Sequence, residues 1–565
     1  MNKTNSFFLL LNIYSCFFFG INAQEIELTL KAEKHISQAL KDSLQMQTSF
    51  TDLTSLKKET DTVYMKFQRM GFIESELLAI KKENDSSYAA RFFLGRKQNY
   101  IKVYYSQADF SKKDLQRIAS EITDDYFILR FETIPASLKK LTAIRNRKGN
   151  AFARLKLTNF EKNSDDNLSA SLKVKNRDTR TIDSIIVKGY EKFPQAFIKH
   201  YAGVRTKKVF NKEKLIQQNE NLNSLGFVSS IKPPEALFRK DSTMVYFYLE
   251  KQNNNLFDGI LGFATDEETQ KLKFNGYLNL ELNNNLNYGE QLLLNYKADG
   301  EEQVNFRAKV KLPYLFKTPF GLSGELKIFK RDSSFVTSEQ ELRTTYQINP
   351  KSTTYIGYRS NNSSNLLDEA IAGTPIIDFK SKYLIAGATY LKAQNRINFP
   401  IKTLLAFDGG IGSREQEGST DSQIRLEARA SNIFNLNYKN SIFVQSITGA
   451  LLSNSYLVNE LFRFGGINSI RGFNENSIDA SLYSLINTEY RYLFNEEVYI
   501  HSIIDVAYFE NKTLDLKQQL YSFGIGLGLR TKAGLFKFNI ANGNSEDQNF
   551  DFSNTKIHIS LTSKF

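Results

Sequence analysis

Chemistry at a protein site needs side chains that titrate, ligate or attack, at spacings that bring them together. This chain of 565 residues offers few of them. Its four histidines, His35, His200, His501 and His558, are scattered with no metal-ligand spacing. Its one cysteine, Cys16, lies in an apolar N-terminal stretch, so the rest of the chain has no thiol or disulfide chemistry. No Gly-x-Ser-x-Gly elbow occurs, and no glycine-rich phosphate loop closed by Lys-Ser/Thr. The acid pairs Glu301-Glu302 and Glu496-Glu497 sit in turn-like sequence, where solvated carboxylates are expected. We therefore expect no enzyme activity, no cofactor and no metal. What remains is ion pairing. The stretch from Phe462 to Phe473 sets Arg471 among Gly465, Gly466 and Gly472, residues that allow tight turns and close backbone approach.

The elements that must position this arginine follow from composition and period. The chain is 41% hydrophobic, 13% aromatic and 24% charged, with a mean hydropathy of -0.39 and 45 Phe. Disordered chains lack so many aromatics, and helical membrane bundles need repeated apolar runs of about 20 residues. A single run approaches that. Lys3, the apolar stretch Phe7 to Ile21 and a small residue at Ala23 have the layout of a secretory signal over 1–23. Ile13-Tyr14-Ser15-Cys16 fits a lipid-attachment box only loosely, and Phe17-Phe18-Phe19 keep the run apolar.

From Glu25 to about Lys251, short strand patterns alternate with helical ones. The clearest unit spans 179–253. It has a strand over 182–187, helices over 194–201 and 211–225 with Gly226 as a stop, then strands over 227–231 and 244–249. The order is β-α-α-β-β. It recurs more faintly over 24–97, with helices near 31–44 and 54–70, and over 98–178, with helices near 111–121 and 136–144. A repeat of about 75 residues marks an array of small modules. From residue 254 to 565 the period changes to two, in about sixteen segments long enough to cross a bilayer. Short turns such as Asn349-Pro350-Lys351 alternate with longer polar loops at 361–377, 413–420, 454–480 and 542–554. This pattern predicts a closed transmembrane β-barrel, because an open sheet edge would leave backbone groups unpaired in lipid. A β-sandwich is the alternative. It would need two layers and about 100 residues per domain.

The β-α-α-β-β order with Gly-Phe before its second strand resembles the POTRA module of outer-membrane assembly proteins. Ile470-Arg471-Gly472-Phe473, after Phe464-Gly465-Gly466, resembles the loop-six signature of the BamA/TamA-type outer-membrane superfamily. It lies between the eleventh and twelfth predicted strands, where that family places it. The resemblance implies α+β POTRA modules followed by an all-β, 16-stranded transmembrane barrel, with loop 454–480 folded inward. Arg471 would then stand in a partly dry lumen and require a partner. Asp505, in Ile504-Asp505-Val506-Ala507-Tyr508, resembles the family's acidic strand-thirteen residue, and Glu489 has the phase to be a second partner. The alternative leaves Arg471 on a solvated loop tip. The stretch ending in Ile559, Leu561 and Phe565 resembles the β-signal of outer-membrane proteins, with Ser563 where an apolar residue is usual. Gly259 and Gly262 mark a weakly pairing first strand that would meet the last at a lateral seam.

The resemblance implies an assembly and translocation factor of the bacterial outer membrane with its modules in the periplasm. It would take unfolded β-barrel or autotransporter-type clients on the modules and insert them through the seam. Three modules look more like the TamA type. Outer-membrane lipids are implied partners, as is an inner-membrane or periplasmic protein bound through the arm. A two-partner-type secretion channel exporting a dedicated protein is the runner-up, and a porin or adhesin is the third reading. The formal charge of +13 refines the partner class. Residues 24–251 hold 41 Lys+Arg against 28 Asp+Glu, so the excess lies on the arm and the barrel is nearly neutral. An exported basic arm argues against nucleic acid and for anionic headgroups or acidic client chains.

Overall fold

The computed structural model describes residues 25–33, 36–162, 168–265, 272–298, 303–332, 334–367, 376–531, 534–546 and 551–562. The expected signal over 1–23 lies outside them, as does Phe565. Two compact units result. One spans the residues to Thr181 with 209–212, and the other spans 182–208 with everything from Glu213 onward.

The first unit contains two sheets. In the first, Ile26–Ala32 lies between Ser49–Phe50 and Ser87–Phe93, and Glu76–Lys82 forms the outer edge. The helix Leu53–Arg69 starts at Asp52, whose side chain accepts from the Ser55 amide at 2.9 Å. Its apolar stripe, Leu56, Val63 and Phe67, is buried against Leu28 and Phe92. It ends at Gly71, whose φ of +102° only glycine adopts easily.

The second sheet departs from the simple β-α-α-β-β order. The helix expected over 111–121 is the single turn Lys112–Leu115. The segment Tyr126–Arg130 forms a strand against Tyr100–Tyr104. Phe127 and Leu129 alternate into the core, a period-two signal that the helical reading overlooked. The result is a five-stranded sheet with Arg154–Lys162 at one edge, backed by the helix Ile134–Arg147.

The second unit opens with a three-stranded sheet. Ser184–Gly189 runs parallel to Thr243–Lys251, which pairs antiparallel with Val228–Phe238. The helix Lys212–Asn223 covers it, and the expected first helix is reduced to a π-helical turn, Phe197–Tyr201. This sheet is fastened to the barrel. Asn284 donates to the Tyr190 hydroxyl at 3.0 Å, and Phe197 meets Tyr314 edge-on at 4.7 Å. A Cβ on Gly289 would come within 2.2 Å of the Phe197 ring.

The barrel is one antiparallel sheet of sixteen strands. They are β1 (Leu256–Thr265), β2 (Leu272–Asn283), β3 (Gln291–Ala298), β4 (Val304–Leu312), β5 (Phe320–Arg331), β6 (Phe335–Asn349), β7 (Ser352–Asn365) and β8 (Phe379–Ala393). Then follow β9 (Ile401–Gln416), β10 (Ser419–Asn435), β11 (Asn440–Leu452), β12 (Leu482–Leu493), β13 (Val498–Asn511), β14 (Leu516–Thr531), β15 (Gly534–Ser545) and β16 (Thr555–Thr562). The phase is that of a membrane barrel. On β13, Ile500, Ile504, Val506 and Tyr508 are exposed, while His501, Asp505 and Ala507 are buried. The polar loop expected over 413–420 is instead a two-residue hairpin, with Glu417 and Gly418 both at positive φ. Strand length is uneven. β9 and β10 have 16 and 17 residues, whereas β3 and β16 have 8 each. β16 returns alongside β1, yet no ladder joins the two among the described residues.

Candidate functional site

The segment between β11 and β12 fills part of the barrel interior. Phe462–Phe464 and Ile478–Ala480 form a small hairpin within it, with Arg463 opposite Asp479. The chain turns at Gly465 and Gly466, with φ of +117° and +93°, and again at Gly472 with φ of +84°. Phe464 stacks on Tyr483 of β12 at 4.9 Å and meets Phe509 of β13 edge-on. Ile470 is fully buried in the same cluster, which Phe473 joins from one side.

This apolar footing places Arg471 between two wall strands. Its Nε donates to Asp505 Oδ2 at 2.8 Å, and its backbone amide donates to the same oxygen at 3.1 Å. One terminal nitrogen donates to Asp505 Oδ1 at 2.5 Å, and the other to Glu489 Oε1 at 2.5 Å. Glu489 Oε2 accepts in turn from Arg491 Nε at 2.7 Å. Arg471, Asp505 and Glu489 are all buried. Two arginines and two carboxylates therefore form a neutral, hydrogen-bonded cluster, the arrangement that makes buried charge tolerable. The pair of carboxylates comes from adjacent strands, β12 and β13, with Asn487 opposite Asp505 in the ladder.

Sequence reasoning did not reach several other contacts of this loop. Gly472 N donates to His558 Nε2 of β16 at 3.2 Å. Gly472 also crosses β15 at Gly543 so closely that a Cβ would fall 2.5 Å from the Gly543 amide nitrogen. At the loop's other end Glu460 is buried. It accepts from Gln423 Nε2 at 2.9 Å and from the Leu457 amide at 2.9 Å, and it pairs with the fully buried Arg414 of β9. Burial holds the Glu460 carboxyl above the ordinary carboxylate range, opposed by Gln423 and Arg414. Arg414 also pairs with Asp421 at 2.5 Å. Asn459 donates to Ser363 Oγ and Ile377 O at 2.9 and 3.0 Å, and Arg331 of β5 grips Asp479 bidentately at 2.6 and 2.8 Å. The loop thus touches the wall at β5, β7, β9, β10, β12, β13, β15 and β16. A signal for this was present in the polar, inward-phased Arg414 and Gln423, but not the strand to which the loop reaches.

The seam residues lie apart from this cluster. Gly259 sits where β1 crosses β2, since a Cβ there would be 2.8 Å from Tyr277 O. Gly262 pairs with Asn275, and Leu561 with Phe536. Ile559 is exposed on the outer, lipid-facing phase.

Two family profiles and two solved structures agree with this architecture. The Omp85 superfamily domain matches residues 279–558, and a POTRA profile, described as a surface antigen variable number repeat, matches 180–252. None of the curated proteins matches the chain in sequence. Among solved structures, CdiB from Escherichia coli is 15% identical with a TM-score of 0.54, covering 94% of this chain and 100% of that one. CdiB from Acinetobacter baumannii is 14% identical with a TM-score of 0.50, covering 77% and 82%. BamA from Haemophilus ducreyi lacking POTRA domains 1-3 is 15% identical with a TM-score of 0.49, covering 81% and 97%. By these two profiles and the 16-stranded sheet, the chain belongs to the Omp85 superfamily, the BamA/TamA-type barrels of the outer membrane that carry POTRA modules.

Proposed function

We propose that this protein receives unfolded β-barrel or autotransporter-type clients on periplasmic modules and inserts them into the outer membrane through the seam between β1 and β16. On this reading residues 1–23 direct export, 24–97, 98–178 and 179–253 are the three modules, and 254–565 is the barrel. One observation carries it. Every neighbouring pair in the sixteen-strand sheet is laddered, while β1 and β16 lie side by side without a ladder among the described residues. The lumen supports the same route from the other direction, because the inserted loop occupies it with buried polar contacts. A client strand pairing with β1 or β16 avoids displacing that loop, and the seam offers it unpaired backbone groups.

The test is a disulfide across the seam, pairing a cysteine among residues 256–259 with one at Ile557 or Ile559. The locked protein should lose client insertion and regain it on reduction. Normal insertion in the locked state would sink the seam mechanism. Depletion followed by a census of outer-membrane proteins separates the readings. Selective loss of several barrels fits an accessory, TamA-like factor and broad loss a general insertase. Loss of one secreted protein would instead identify a two-partner-type channel.

A further inference from the structure

The outer edge of the second sheet is built at a cost. Its edge strand Arg154–Lys162 pairs with Leu168–Lys175 so that Arg154 faces Lys175 and Lys156 faces Lys173. Like charges directly opposite across a ladder are destabilising, with Cβ atoms only about 5 Å apart. All four side chains are exposed. None of the four takes part in an ion pair or side-chain hydrogen bond among the described residues. The opposite face of the same strand is apolar. Leu155 and Leu157 are half-buried and pack against the core of the sheet. Over residues 154–157 the strand therefore alternates a cation and an aliphatic residue along a main-chain edge that no strand covers among the described residues. A register shift between Thr158 and Glu161, with Asn159 at a φ of +55°, ends the regular stretch.

The corresponding edge strands of the other two sheets lack this combination. In Glu76–Lys82, the strand itself supplies an acid and Lys82 pairs with Asp85 at 2.8 Å. In Val228–Phe238, Pro233 and Pro234 remove amide donors, and Lys232 pairs with Glu235 at 2.7 Å. Those edges set an acid or a proline beside their cations, whereas residues 154–158 have neither; Glu161 and the Lys162–Glu74 ion pair of the same strand lie beyond the register shift.

We propose that the edge at residues 154–158 selects extended client segments that carry an acidic side chain at every second residue. This rests on the client-binding reading above and specifies which clients. A strand added to this edge would set its alternate side chains beside Arg154 and Lys156, and the intervening ones beside Leu155 and Leu157. Acid on one row and aliphatic on the other complements both. An anionic bilayer would satisfy the cations but has no use for the alternation or the open main chain, so a polypeptide is the occupant the geometry favours.

The experiment uses the full chain in nanodiscs of zwitterionic lipid and dye-labelled nonapeptides. An alternating Glu-Val peptide should bind about tenfold more tightly than a peptide of the same composition with its glutamates in one block. The double variant Arg154→Glu, Lys156→Glu should lose that preference and favour an alternating Lys-Val peptide instead. Because these side chains are exposed, the fold should survive, and Lys173→Gln with Lys175→Gln gives a milder second variant with a smaller loss. N-methylation of the Glu-Val backbone should abolish binding. Equal binding of the block peptide, indifference to charge reversal, or undiminished binding of the N-methylated peptide would each overturn the proposal. So would a charge-reversal effect confined to vesicles of anionic lipid. Charge reversal without effect, beside a seam lock that still stops insertion, would remove this edge and leave the insertion reading standing. Peptide selection that holds while a seam lock leaves insertion intact would do the opposite.

Discussion

At one end of the inserted loop the arginine belongs to the loop and the carboxylates to the wall. Arg471 leaves the loop and meets Asp505 and Glu489. At the other end the roles are exchanged: the wall supplies Arg414 and the loop supplies Glu460. The chemistry is the same, but the redundancy is not. Every side-chain bond described for Asp505 comes from Arg471. Arg414, by contrast, keeps Asp421 and Ser455 if Glu460 is lost. One end therefore leaves a buried wall carboxylate, Asp505, wholly dependent on the loop arginine. The other is one contact within a shared network, and it should yield first when the loop is strained.

The largest effect should follow from breaking the Arg471 end. Arg471→Ala leaves Asp505 buried and unpaired, which should cost about 3–5 kcal/mol. Thermal unfolding in detergent, read by the mobility of the unheated barrel on gels, measures it. Asp505→Ala should lower the midpoint similarly, and the double variant should cost far less than the sum of the two. Additivity of that pair would show that the two side chains do not act on each other.

Gly472→Ala comes next. The new Cβ would lie 2.5 Å from the Gly543 amide nitrogen, at a φ of +84° that alanine disfavours. A loss of about 1–3 kcal/mol is expected, with faster protease cleavage of the loop. An unchanged midpoint would mean that the loop does not rest against β15 in solution.

Glu460→Ala should cost less than Arg471→Ala, about 1–2 kcal/mol, because Arg414 retains a carboxylate. The reverse order of these two would break the comparison.

How much of this was legible in the sequence follows the same division. The sixteen strands were readable because a barrel wall keeps a strict period of two over residues 254–565. The Arg471 partners were within reach for a local reason. β12 and β13 follow the loop directly, so phase alone puts Glu489 and Asp505 on the inward face. Arg414 and Gln423 lie 46 and 37 residues before Glu460, on β9 and β10. Phase gives their face, but only the path of the loop across the lumen gives their partner. The strand Tyr126–Arg130 was missed for another reason. Its five residues sit between acidic turn residues and a helix, and a run that short has no period distinct from its surroundings.

The smallest expected effect is the most exacting test of the two-ended view. Arg471 and Glu460 share no described partner, since one is held by β12 and β13 and the other by β9 and β10. Removing both should therefore add the two separate losses, with an interaction below about 0.5 kcal/mol. A positive interaction would mean that freeing one end already unseats the other, so that the loop enters and leaves the lumen as a unit. Additive losses would mean that the Glu460 end can detach while the Arg471 cluster stays closed. The lumen would then loosen on the β9–β10 side before the wall strands nearest β16 lose their hold on the loop.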